Sequence, residues 1–228
     1  MRESILTIPV NEVFEPKEGC PICRMRDTVE GHISEYIMGA AMMEPDVREE
    51  TNKLGFCLTH FSMLAEQGNR LSLGLVLNSH LNVTRQKFLV SHAGLKSLKG
   101  KRTDNLSSTC FVCEKVDWGI NHMLKTVFTL FEKDKDFREL FSGQEFFCLP
   151  HYHFLAFKSE HISKNARIEF LKVLNKVVSE YAETLNSNVN DFCDSFDYRN
   201  AGRLNTPDME HISTSPQRAI RFLTGRDI

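Results

Sequence analysis

At 228 residues, 41% apolar and 25% charged, with a mean hydropathy of -0.29, the chain has the make-up of a globular protein and not of a disordered or membrane-embedded one. A net charge of -2 and a pI near 6.5 give it no general attraction to phosphate backbones or anionic lipid, so nucleic acid is not an expected partner. No run approaches the roughly 20 apolar residues that span a bilayer. The start, where Glu3 follows Arg2, lacks the apolar core of a signal peptide, so a cytoplasmic location is the expectation. In a reducing compartment seven cysteines, an odd number, do not read as a disulfide framework.

In chain order, Cys20-Pro-Ile-Cys23 opens the first helix, with Pro21 at its first turn and residues 24 to 38 continuing it. Asp46-Val-Arg48-Glu49 then reads as a helix start capped by aspartate, its charges paired along a solvated face. Cys57-Leu-Thr-His60 opens a shorter helix, and Leu75, Leu81 and Phe88 place another over about residues 71 to 89. A polar stretch at about 97 to 109, with lysines and arginines between Lys96 and Arg102, reads as a solvated linker.

The same order then recurs. Cys110-Phe-Val-Cys113, Asp136-Phe-Arg138-Glu139 and Cys148-Leu-Pro-His151 follow one another at spacings that match but for one extra residue before Cys148, and His32 and His122 occupy equivalent places after their C-x-x-C pairs. From Ile162, the residues Ala166, Phe170, Leu174, Val177, Tyr181, Leu185, Val189, Phe192 and Phe196 mark a long amphipathic helix, on whose stripe Cys193 reads as packing. Phe196 to Asn200 suits a helix cap or a ligand-facing rim. Ser213 to Ser215 followed by Pro216 starts a last helix that ends at Gly225. Period-2 runs long enough for a sheet are absent. The expectation is an all-α protein, a single domain over 1–228. It comprises one repeat at about 17–96, a linker at about 97–109, a second repeat at about 110–200 and a C-terminal helix at about 215–225, with the long amphipathic helix packing on both repeats.

Six of the seven cysteines and two histidines therefore fall into four C-x-x-C or C-x-x-H pairs: Cys20, Cys23, Cys57 and His60, then Cys110, Cys113, Cys148 and His151. Three thiolates and one imidazole make a complete tetrahedral set for zinc, and an x-x gap lets two neighbouring side chains converge on one ion. Helix starts favour thiolates through their unpaired N–H groups. Two zinc ions are expected, with iron or an iron–sulfur cluster and unliganded packing cysteines as the alternatives.

The gap inside each repeat is long, because 33 residues separate Cys23 from Cys57 and 34 separate Cys113 from Cys148. Helix over residues 24 to 38 travels roughly 22 Å, and the chain must then cover that distance back. Either each repeat closes on its own ion, or Cys20 and Cys23 share an ion with Cys148 and His151. Both remain open at this stage. His32 and His122 lie too far along their helices to ligate the same ion as their pairs, and His80 reads as a core histidine.

The residues resemble an uncharacterised, mainly Firmicutes bacterial family, a domain of unknown function with duplicated C-x-x-C and C-x-x-H motifs. The resemblance rests on C-P-I-C at 20 to 23, E-T-N-K-L-G-F-C-L-T-H at 50 to 60 and G-N-R-L-S-L-G-L-V-L-N-S-H at 68 to 80. It continues through C-F-V-C-E-K-V-D-W-G at 110 to 119, F-F-C-L-P-H-Y at 146 to 152, F-D-Y-R-N-A at 196 to 201 and R-A-I-R-F-L-T at 218 to 224. It implies bacterial origin and intact paired ligands, and it implies no reaction.

Closed four-ligand sites favour a non-enzymatic zinc protein that presents a groove to a protein or small ligand, because catalytic zinc keeps one position open. A thiol and zinc redox or metal-responsive switch is the first alternative. An enzyme with a cavity between the repeats, using His80, the His32 and His122 pair or the Phe196 to Asn200 segment, is the second.

Overall fold

A computed structural model describes residues 7–93, 109–197 and 209–226. Among these there are eleven α-helices, two short 3₁₀ turns and no strand, as the helical periodicity predicts. The expected basic linker, Tyr198 to Asn200 and the N-terminal residues 1 to 6 lie outside the described residues.

Four helices come twice in the same order. The C-x-x-C pairs open α2 (Pro21–Met38) and α6 (Phe111–Lys133), which are followed by α3 (Pro45–Leu54) and α7 (Lys135–Ser142). The C-x-x-H pairs open α4 (Leu58–Glu66) and α8 (Leu149–Lys158), and α5 (Arg70–Ala93) and α9 (Lys164–Ser195) complete the series. Only α1 (Thr7–Phe14), α10 (Met209–Ser213) and α11 (Ser215–Thr224) lie outside it. The helices opened by the C-x-x-C pairs are long, because apolar residues recur through Met38 and through Phe131.

Local chemistry sets the ends. Pro45 starts α3, and Pro150 and Pro216 stand in the first turns of α8 and α11, where a missing N–H costs nothing. Gly55 ends α3 at φ 65° and its N–H donates to the Thr51 carbonyl. Gly225 ends α11 as expected, at φ 71°. The aspartate caps are corrected: Glu44 and Asp134 hold the cap positions, and Asp46 and Asp136 fall in the first turn. Asp134 accepts from the N–H groups of Asp136 and Phe137, while Arg48 donates back to the Met42 carbonyl and Arg138 faces Glu169.

The chain divides into two compact units, one of residues 1–25 and 122–228 and one of residues 26–121, so the boundary falls inside α2 and inside α6. In the first unit Phe141 is the hub of an aromatic core. Its ring lies 4.8 Å from Phe147, 5.1 Å from Phe170, 5.3 Å from Phe131 and 5.9 Å from Phe14. Each fully buried phenylalanine contributes roughly 1.5–3 kcal/mol. Gln144 donates to the carbonyls of Phe14 and Leu140, and Arg24 to that of Val13, which ties α1 to α7 and to the start of α2. Helix α9 lies wholly in this unit and buries Phe170, Leu174, Val177, Tyr181 and Leu185. The stripe fades beyond them, since Phe196 is exposed and so is Cys193, which corrects its reading as packing. Phe146 stacks on Tyr181 at 4.3 Å, with Phe222 of α11 beside both.

The second unit buries Ile37, Met38, Ala41, Met42, Phe56, Leu64 and Val76 together with Phe111, Val112 and Val116. Asn52 donates to Ser79 and Asn69 to the Met38 carbonyl, which fixes α3 and the start of α5. Of the residues expected to face the core from α5, Leu75 is half-buried and Leu81 exposed, while the side chain of Phe88 lies outside the described residues; Val76, which is not among them, is buried.

Candidate metal centres

Cys57 and Cys148 are the N-caps of α4 and α8. Cys20 and Cys110 immediately precede α2 and α6, and their carbonyls accept from Arg24 and Glu114. All four pairs therefore stand at helix starts, where unpaired N–H groups favour anionic sulfur.

The pairs meet in two clusters. One is Cys20, Cys23, Cys148 and His151, within the first unit, and the other is Cys57, His60, Cys110 and Cys113, within the second. In each, the four donor atoms lie within 4.8 Å of one another. All eight predicted ligands are brought together, but each cluster joins a C-x-x-C from one segment to a C-x-x-H from the other. Closure of each repeat on its own ion is overturned.

Helix lengths explain why. The 18 residues of α2 rise roughly 27 Å and the 10 of α3 roughly 15 Å, so α3 alone does not carry the chain back the length of α2. The mismatch grows in the second segment, where the 23 residues of α6 rise roughly 35 Å and the 8 of α7 roughly 12 Å. The C-x-x-H of α4 consequently arrives beside the middle of α2, where Ser34 meets Met63 and Glu30 meets His60.

Short backbone contacts seat the partners. In the second unit the Phe111 N–H donates to the Gly55 carbonyl at 2.9 Å, and the Thr109 hydroxyl to that of Leu54 at 2.7 Å. In the first, the Gly19 N–H donates to the Glu145 carboxylate at 2.6 Å.

Cluster dimensions suit a single tetrahedral ion. Sulfur at about 2.3 Å and nitrogen at about 2.05 Å from such an ion would stand roughly 3.6 Å apart, and two sulfurs roughly 3.8 Å. In the first cluster Cys23 and Cys148 Sγ are 3.7 Å apart, and His151 Nδ1 lies 3.6, 3.3 and 3.1 Å from Cys20, Cys23 and Cys148. In the second, His60 Nδ1 lies 3.1, 3.2 and 3.5 Å from Cys57, Cys110 and Cys113. Both clusters can hold a metal ion.

Thiol ionisation shows the strain of this crowding. Burial pushes Cys20 up, but hydrogen bonds from Cys148, Cys23 and His151 hold it well below an ordinary thiol. Cys23 is driven up by hydrogen bonding with Cys148 and Cys20. Burial would lower His151, but Cys148 and Cys20 raise it to about 9. Cys57, pushed up by burial, is brought to about 7 by the backbone and ring of His60, while burial and the charge of Cys110 push Cys113 up to about 12. Crowded like charges oppose one another's ionisation in this way.

Two contacts at these clusters carry no sequence signature. Nε2 of His60 lies 2.5 Å from the Glu30 carboxylate, so the Nε2–H donates there and the Nδ1 lone pair faces the sulfurs. A carboxylate behind a ligating imidazole fixes its tautomer and raises its basicity. At the first cluster the Gly225 carbonyl lies 3.4 Å from Cys23 Sγ. A Cβ added at Gly225 would stand 3.0 Å from Cys148 Sγ, so the end of α11 sits directly on this sulfur.

His32, His80 and His122 join neither cluster. His80 is half-buried and not in the core, its ring 6.4 Å from that of Phe61, and His32 is exposed. Among the described residues no helix is long and apolar enough to cross a membrane.

A family model described as a family of unknown function (DUF6062) matches residues 1–228. The chain belongs to this family. No curated protein and no solved structure matches the chain of this DUF6062 member.

Proposed function

We propose that each cluster holds one zinc ion as a closed structural site, and that this is a non-enzymatic zinc protein whose two duplicated segments are locked together by the exchange of ligand pairs. The observation that carries the reading is the completeness of each set: three sulfurs and one imidazole nitrogen within 4.8 Å. Four protein donors fill a zinc tetrahedron and leave no position for water or substrate, which argues against Lewis-acid or hydrolytic chemistry at the ion. The close spacing favours one ion over a multi-iron cluster, whose inorganic sulfide would hold the protein sulfurs further apart. Three soft thiolates and a histidine suit zinc better than harder oxygen-seeking ions.

Metal analysis of the purified full chain, followed by chelation, tests this. The expected result is two zinc ions per chain, and a loss of helical circular dichroism and of melting temperature when they are removed. Native helix and an unchanged melting point after complete removal would exclude the structural role.

A further inference from the structure

The two centres present different atoms to solvent. At the Cys57 centre the histidine is buried, with His60 2% exposed, and the half-buried ligands are both cysteines, Cys57 and Cys113. Cys57 is followed by Leu58, which is 82% exposed, and by exposed Thr59, so the chain at Cys57 borders solvent, whereas Cys113 follows fully buried Val112. At the other centre the equivalent cysteine, Cys148, is 0% exposed, and the half-buried ligands are Cys23 and His151. Gly225 rests on Cys148, and its carbonyl stands 3.4 Å from Cys23 Sγ.

From this inequality we infer that the Cys57 centre is the more oxidant-sensitive one, with Cys57 the thiolate attacked first, and that the centre under α11 reacts more slowly. The inference rests on the zinc reading above. With hydrogen peroxide as oxidant, the Cys57 thiolate attacks one peroxide oxygen, the O–O bond breaks, and Cys57 sulfenic acid and hydroxide form. A second thiolate of the same centre, Cys113 or Cys110, then attacks that sulfur, makes an S–S bond and expels a second hydroxide. Two electrons pass from the thiolates to peroxide, and the ion, left with two protein ligands, departs.

The test exposes the zinc-loaded full chain to hydrogen peroxide. It follows zinc with a chromogenic chelator and thiols by alkylation and peptide mass spectrometry. Release should occur in two phases of one ion each, separated on the order of tenfold in rate. The fast phase should consume Cys57 first while Cys20, Cys23 and Cys148 stay reduced. Cys57→Ser should bind one ion and show the slow phase alone; should it fail to fold, the order of thiol loss in the unaltered chain decides. Release of both ions in a single phase, or loss of Cys148 or Cys20 before Cys57, overturns the inequality and leaves the zinc reading standing. A chain that purifies without zinc overturns both.

Discussion

The Glu30 carboxylate receives the Nε2–H of His60 at 2.5 Å, about two helical turns along α2 from Cys23. A residue of the first C-x-x-C helix thus orients a ligand in a centre to which that C-x-x-C does not contribute.

Glu30→Gln should therefore weaken zinc at the Cys57 centre alone. Supporting carboxylates of this kind are worth about 10–100-fold in metal affinity. Competition with a graded series of chelators should show one ion weakened and the other unchanged.

Glycine is required at the end of α11 for two separable reasons. At φ 71° a side chain costs roughly 1–2 kcal/mol, and at Gly225 its Cβ would also press on Cys148 Sγ at 3.0 Å. Gly68, at φ 76° with nothing within 4 Å of an added Cβ, isolates the first reason. Gly225→Ala should lower the melting temperature more than Gly68→Ala and should speed zinc loss from the Cys148 centre, an effect that Gly68→Ala lacks.

Phe141 touches four other phenylalanines and is fully buried. Phe141→Ala should cost about 3–5 kcal/mol in denaturant unfolding, because the cavity adds to the lost transfer energy. Since Phe147 directly precedes Cys148, the same change should loosen the Cys148 centre before the other.

Acid should strip both ions. Zinc binds the deprotonated thiolates and neutral imidazole, so protons compete and apparent affinity rises with pH. A pH titration under chelator competition should show monotonic loss of metal as the pH falls, with proton release on rebinding.

The ligands and the helical class were legible in the sequence because both are local. C-x-x-C and C-x-x-H pairs announce themselves by spacing, and α9 by the period of Phe170, Leu174, Val177 and Tyr181. The pairing of ligands was not, because it depends on how far α3 returns along α2, a sum of helix lengths and turns. Glu30 is one acidic residue among many in the first segment, and nothing marks it until His60 is placed beside it. Cap positions slipped from Asp134 to Asp136, because Asp-Lys-Asp offers two acceptors and only backbone geometry selects one. Cys193 is exposed because apolar residues recur along α9 beyond Leu185, where burial of the stripe ends.

The central claim is that each ion is shared between the two segments, and zinc stoichiometry in paired cysteine variants tests it most directly. Cys57→Ser with Cys113→Ser should leave one tightly bound zinc per chain, since both residues belong to one centre. Cys20→Ser with Cys57→Ser should abolish both sites. One ion retained in the second variant and none in the first would contradict the exchange of ligand pairs.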